Sequence, residues 1–219
     1  MRSTTVIMGI LLMVFGCSRP NPGISGRIEN LADGTSLYLC VYEGVLRTMD
    51  STVSVGGGFG FGMPQIMPNI LYLRIGNREA TIVPLFVEGI PVEIVGDITN
   101  PHRIRAQGTE SNELLAAYRS SIEDFEIQLR AIEVAMGLPG AQLEELSTKR
   151  DSIELIITAK KVAFIIGNNH SIVAAFLAST MVDSTTSRGR INHLIALLDT
   201  TSMTDNTFLR RLRRLATAR

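Results

Sequence analysis

Few residues in this chain have the types and spacing that chemistry needs. It holds two cysteines, Cys17 and Cys40, and three histidines, His102, His170 and His193. No C-x-x-C pair occurs, so dithiol redox catalysis has no motif here. The histidines are scattered, with no second His or Cys at ligand spacing, which leaves a metal site without donors. Glu144, Glu145, Asp151 and Glu154 stand beside Lys149 and Arg150 and read as a solvated, salt-bridged helix face rather than an acid–base pair. The glycines from Gly56 to Gly62 superficially suggest a phosphate loop. Phosphate cradling requires a helix N-terminus directly after the loop, and here a β-like segment and Pro64 follow. A hairpin turn plus a strand is the better account. Cys40 lies in an alternating stretch and reads as a small buried hydrophobe. Arg210, Arg211, Arg213 and Arg214 form a basic strip that could meet anionic lipid headgroups or an acidic partner. Cations near a helix C-terminus also complement its dipole, and that simpler reading is favoured. No catalytic, cofactor-binding or metal-ligating residue is therefore assigned.

Cys17 is the exception, because its setting implies a modification. Arg2 precedes an apolar run from Val6 to Phe15, far shorter than the ~20 residues of a spanning helix and matching the core of a signal peptide. Val14-Phe15-Gly16-Cys17 closes that run and resembles the lipobox read by the lipoprotein signal peptidase. Gly16 supplies the small residue before the cysteine; Phe15 departs from the family's preference for a small or branched one. The resemblance implies a diacylglyceryl thioether on Cys17, and several acyl chains, at ~0.8 kcal/mol per buried methylene, anchor stably. Ser18 resembles the residue that favours outer-membrane sorting in enteric lipoproteins. The expected organisation is a signal peptide over 1–16, a Pro-rich tether over 17–23, a β domain over 24–107 and a helical module over 108–219. Once Cys17 is lipidated Cys40 is the remaining thiol, so no internal disulfide is expected in an oxidising compartment.

The 219 residues suffice for one large or two small cores. Lys+Arg and Asp+Glu balance at 21 each, which argues against a dedicated nucleic-acid binder. With 45% hydrophobic residues and no net charge the chain is globular rather than disordered. The absence of Trp leaves aromatic sugar or base platforms poorly supplied.

The elements come in two blocks. From Ile24 to about Ala106, short apolar runs alternate with turn residues. A first strand ends at Asn30, and Asp33-Gly34 reads as a hairpin turn into Leu37, Leu39 and Val41. Thr48 to Val55, Phe59-Gly60-Phe61, Ile70 to Ile75, Thr81 to Val87 and Val92 to Val95 continue the pattern, with turns at Gly76-Asn77 and Glu88-Gly89. Short strands without intervening helices predict an antiparallel sandwich or barrel. At Gly108 the period changes. Ser111-Asn112-Glu113 offers N-capping oxygens, and Leu115, Tyr118, Ile122, Phe125, Leu129, Ile132 and Met136 recur at three and four. Gly137-Leu138-Pro139-Gly140 turns the chain into a second helix from Gln142 to Ile166, with Leu143, Leu146, Ile153, Ile157 and Phe164 inward. An antiparallel hairpin results, followed by three shorter helices. The fold class is α+β: an N-terminal antiparallel β-sandwich, then a helical module with a long hairpin.

Ile24-Ser25-Gly26, Leu31-Ala32-Asp33-Gly34, Asp50-Ser51-Thr52-Val53, Gly58-Phe59-Gly60-Phe61, Phe86-Val87-Glu88-Gly89, Ile94-Val95-Gly96-Asp97 and Gly108-Thr109-Glu110-Ser111-Asn112 occur in that order. Together they resemble the domain-of-unknown-function family found N-terminal to the thioredoxin-like (AhpC/TSA, thiol–disulfide interchange) domain of bacterial lipoproteins. The thioredoxin-like domain, with its W-C-x-x-C motif, is absent from this sequence, so no catalytic residue carries over. The expectation is a non-catalytic, membrane-tethered periplasmic accessory or binding domain with no cofactor and no nucleic-acid partner. The alternative is one part of a thiol–disulfide oxidoreductase system whose catalytic domain is encoded separately or lost. The apolar stripe of the first long helix is the expected partner or self-association face, unless the short helices fold back and cover it.

Overall fold

The computed structural model describes residues 23–64, 70–76, 81–203 and 206–217. Cys17 and the expected signal and tether segments up to residue 22 lie outside the described residues, as does Asn77.

Among the described residues eight strands come first: β1 (Ile24–Glu29), β2 (Ser36–Tyr42), β3 (Leu46–Val53), β4 (Gly58–Phe61), β5 (Ile70–Ile75), β6 (Ile82–Phe86), β7 (Val92–Asp97) and β8 (Arg105–Gln107). They form two four-stranded sheets, ordered β4-β1-β7-β8 and β3-β2-β5-β6. Period-two patterning builds the interior. Ile24, Ile28, Val92 and Ile94 of the first sheet meet Leu37, Leu39, Leu71, Leu73, Val83 and Leu85 of the second, all essentially fully buried. The sandwich stands as expected, with one parallel pair, β1 with β7; the other pairs are antiparallel.

Asp33-Gly34 is not a hairpin turn. β1 has β4 on one edge and β7 on the other, so β2 has no edge of β1 to pair with and crosses to the opposite sheet. Asn30 and Gly34 take positive φ at this corner, 58° and 76°. The Ser54 hydroxyl donates to Ala32 O at 2.6 Å and accepts from Thr35 N at 3.0 Å, tying the corner to the end of β3. The glycine cluster does form a turn. Val55 and Gly58 exchange both backbone hydrogen bonds, at 2.9 and 3.0 Å, across Gly56 and Gly57, which hold φ of 58° and 72°. Two consecutive positive φ values suit glycine and produce a two-residue hairpin.

Among the described residues five α-helices follow: α1 (Glu110–Met136), α2 (Leu143–Gly167), α3 (Ile172–Thr180), α4 (Arg188–Ala196) and α5 (Thr207–Thr217). α1 and α2 form the expected antiparallel hairpin, with the Tyr118 and Phe164 rings 5.1 Å apart near its base. The cap of α1 sits earlier than expected: Thr109 Oγ1 accepts from Asn112 N at 3.2 Å, which leaves Ser111 and Asn112 inside the helix. Leu143, expected inward, is 56% exposed, because it opens α2 at the far tip where no third element packs. Phe86 joins the two halves. Its neighbour Leu85 points into the sandwich, while Phe86 points outward into the helical core, edge-on to Phe176 at 5.7 Å and Phe208 at 6.5 Å.

The stripe on α1 divides along its length. Leu115, Tyr118 and Ile122 are buried in the core that α3, α4 and α5 build. Phe125, Leu129, Ile132 and Met136 are half-buried along α2. Lys160, which interrupts the facing stripe, lays its ammonium 5.4 Å from the Phe125 ring centre.

Candidate functional site

Charged side chains converge where the 3-10 turn Pro101–Arg103 and β8 approach α1. A cleft of about 240 Å³ is lined by His102, Arg103, Arg105, Arg119, Glu123 and Glu126. Arg103 Nε donates to Glu123 Oε1 at 2.5 Å, and His102 Nε2 stands 3.8 Å from the same oxygen. The hydrogen bond from Arg103 holds the Glu123 carboxyl below its usual range, against the opposing effect of burial. Arg119 Nη2 donates to the His102 carbonyl at 3.1 Å, fixing the turn to the helix. The arrangement offers charge and hydrogen bonding; Arg103 and Glu123 already satisfy one another. His102 was read alone in the sequence, and its neighbour Glu123 comes from a helix, 21 residues on, so no local spacing could have announced the pair.

A second surface lies on the outer face of the second sheet, beside the helical core. Arg74 Cζ sits 4.4 Å over the Tyr38 ring, and Tyr42 meets Tyr72 edge-on at 6.4 Å. Cys40 is on this face, fully buried, its Sγ 3.8 Å from both Tyr38 O and Thr48 Oγ1. It is thus the small buried residue the alternation suggested. Burial pushes the Tyr72 phenol up, opposed by the charge of Arg211 from α5. The basic strip of α5 is accordingly split: Arg211 is half-buried at the sheet, whereas Arg213 and Arg214 are exposed. Arg210 donates to Thr207 Oγ1 at 3.3 Å.

The remaining sequence candidates fall where ordinary helix physics puts them. Lys149 pairs with Glu145 at 2.6 Å, and Arg150 with Asp151 at 3.0 Å and Glu154 at 3.7 Å, on an exposed helix face. His170 and His193 are exposed and far from each other in the chain. Among the described residues no group of three His, Cys, Asp or Glu is placed to hold a metal ion. Among the same residues no helix is long and apolar enough to cross a membrane. Sequence reading missed a polar cluster inside the hairpin. Burial pushes the Tyr118 phenol up to about 12, helped by Glu126, and pushes the Lys161 ammonium down, which Glu126 opposes.

Neither a curated protein nor a solved structure matches the chain. Residues 23–115 match the family described as Domain of unknown function (DUF4369), so the sandwich and the first turn of α1 are similar to that family, as the ordered motifs imply.

Proposed function

We propose that this chain is a lipid-anchored accessory domain of the bacterial cell envelope, held through Cys17 at the periplasmic face of the outer membrane, which binds or positions a partner and performs no chemistry of its own. The anchor is supported by the short apolar run and by Val14-Phe15-Gly16-Cys17. The first described residue, Gly23, already accepts a backbone hydrogen bond from Val92 at 2.9 Å. Six residue steps from Cys17 to this point, at ~3.5 Å each, hold the body within about 20 Å of the bilayer surface. The sandwich interior is closed by packed side chains from both sheets, which supports a recognition role for outer surfaces, such as the cleft lined by His102, Arg103, Arg119 and Glu123, over an internal ligand cavity.

Mass spectrometry and membrane fractionation of the wild type and Cys17→Ala test the anchor. The wild type should carry the lipid mass and the variant should remain unprocessed; identical mature masses would refute the reading. The rival, a component of a thiol–disulfide oxidoreductase system, is supported by the resemblance to domains that precede a thioredoxin-like domain. It expects a thioredoxin-like reading frame in frame with or adjacent to this one; the chain itself, left with Cys40 alone, lacks the resolving thiol and should show no insulin reduction above a dithiothreitol background.

A further inference from the structure

α5 presents two unlike faces. Phe208, Leu209, Leu212 and Ala216 are buried in the helical core, and the arc turned to solvent carries Thr207, Arg210, Arg213, Arg214 and Thr217 with no acid among them. The helix dipole accounts for Arg214, the base in the last turn among the described residues, and leaves Arg210 and Arg213 unexplained. α4 packs against α5 and opens with Arg188 and Arg190, both exposed, in a first turn that holds no acid. The positive end of the dipole disfavours cations there, so local helix electrostatics does not account for them either. Together α4 and α5 hold six arginines and no acid, whereas α1 holds six acids and two arginines. Among the described residues no carboxylate forms an ion pair with Arg188, Arg190, Arg213 or Arg214.

We infer that the arginine face of α5 rests on the anionic phospholipid headgroups of the membrane to which Cys17 tethers the chain, an inference that rests on the anchor proposed above. Topology brings the two together. Gly23 O accepts from Val92 N, and Ile24 stands in register with Val92. Val92 follows Phe86 by six residues, and Phe86 packs edge-on to Phe208 in the first turn of α5. The tether therefore leaves the sandwich at the end on which the helical core and α5 are built. Its six steps from Cys17 reach about 20 Å, which keeps that end close to the bilayer. Attraction of an arginine to an anionic leaflet is about 1 kcal/mol and fades within a Debye length of ~8–10 Å. A face of few charges thus needs the proximity that a short tether supplies. Guanidinium forks match phosphate oxygens in geometry as well as charge, and the acidic α1 is turned from the same surface by its own charge. The bilayer is favoured over an acidic protein because the anchor already holds it within reach.

The test reconstitutes the full chain in vesicles of phosphatidylcholine alone, or of equal parts phosphatidylcholine and phosphatidylglycerol, each carrying a quencher on the headgroups. A fluorophore on Thr217→Cys, exposed at the end of α5, reports contact; Cys40 is buried and Cys17 is occupied by lipid. With phosphatidylcholine alone the chain should float with the vesicles while the label stays bright. Phosphatidylglycerol should quench it, and added salt should restore it. Arg213→Gln with Arg214→Gln should lower the ratio of docked to undocked chain roughly 30-fold, at ~1 kcal/mol per arginine, without loss of flotation. A label on Leu138→Cys, at the exposed tip of the hairpin, should stay bright throughout. Quenching that ignores phosphatidylglycerol and salt, or that is equal at the hairpin tip, would overturn the proposal; the salt series needs no arginine variant and decides the matter even if that variant unfolds. Photocrosslinking of residue 213 to an acidic protein in isolated membranes, with no lipid dependence in vesicles, would overturn it in favour of that partner. Failure to float with phosphatidylcholine alone would refute the lipid on Cys17 instead. Flotation with the mixed vesicles then decides the face: it is upheld if the wild type floats and the double arginine variant does not, and overturned otherwise.

Discussion

Asn112, the third residue of α1, grips both backbone groups of Phe86, the last residue of β6. Phe86 N donates to Asn112 Oδ1 at 2.8 Å, and Asn112 Nδ2 donates to Phe86 O at 2.9 Å. The amide thereby continues the sheet by one rung at the point where the strand gives way to the helix. Thr109 Oγ1 accepts from Asn112 Nδ2 at 2.8 Å, Glu113 accepts from Gly108 N at 3.1 Å, and the Ser111 hydroxyl donates to the Glu88 carboxylate. The Gly108-Thr109-Glu110-Ser111-Asn112 motif is therefore a dock between module and helix rather than a cap alone.

Asn112→Ala should accordingly unlock the two halves. It strands a buried N–H and C=O, each costing about 1–3 kcal/mol, so a loss of about 2–6 kcal/mol is expected. Urea denaturation followed by circular dichroism measures it; a change below about 1 kcal/mol would mean that the dock is incidental.

Tyr118→Phe should go the other way. The Tyr118 ring is 4% exposed, and its hydroxyl is buried with no hydrogen-bond partner among the described residues. Removing an unsatisfied buried polar group should stabilise the fold by about 1 kcal/mol, seen as a raised Tm. In the wild type the phenol should resist ionisation to about pH 12, read by ultraviolet difference spectroscopy.

Gly26→Ala tests the sandwich. A Cβ there would lie 2.7 Å from Ile94 O and against the Phe59 ring, which crosses the bare backbone of β1. With β4 on one side and β7 on the other, neither neighbour can yield. Overpacking of this kind costs about 1–3 kcal/mol, and the thermal transition should fall accordingly.

Acid should loosen the corner between α3 and α4. The Asp183 carboxylate accepts from the Thr185 hydroxyl and backbone and from Thr186, which holds its pKa at about 2 rather than 3.8. A depressed pKa contributes stability that is complete above the unfolded value and lost as pH falls through the folded one. Amide exchange at Thr185 and Thr186 should therefore quicken between about pH 4 and pH 2, and Asp183→Asn should abolish that dependence. An unchanged profile in the variant would assign the transition to another group.

The sequence by itself determined the elements and their order. Period-two alternation in Leu37 to Val41 and the three-four spacing from Leu115 to Met136 are local signals of which face is buried, and Gly56-Gly57 and Gly137 to Gly140 are local signals of where the chain turns. The tertiary structure alone decided how those faces meet. Asp33-Gly34 looks like a hairpin because its flanks are strand-like, yet β1 spends both edges on β4 and β7, and edge occupancy is a property of the whole sheet. Arg103 meets Glu123, and Asn112 meets Phe86, only because distant segments are folded together. The α1 stripe looked uniform in one dimension; the short helices bury its first half, and its second half lies half-buried along α2. Periodicity marks a face as apolar, but which apolar face is left over depends on every other element that packs.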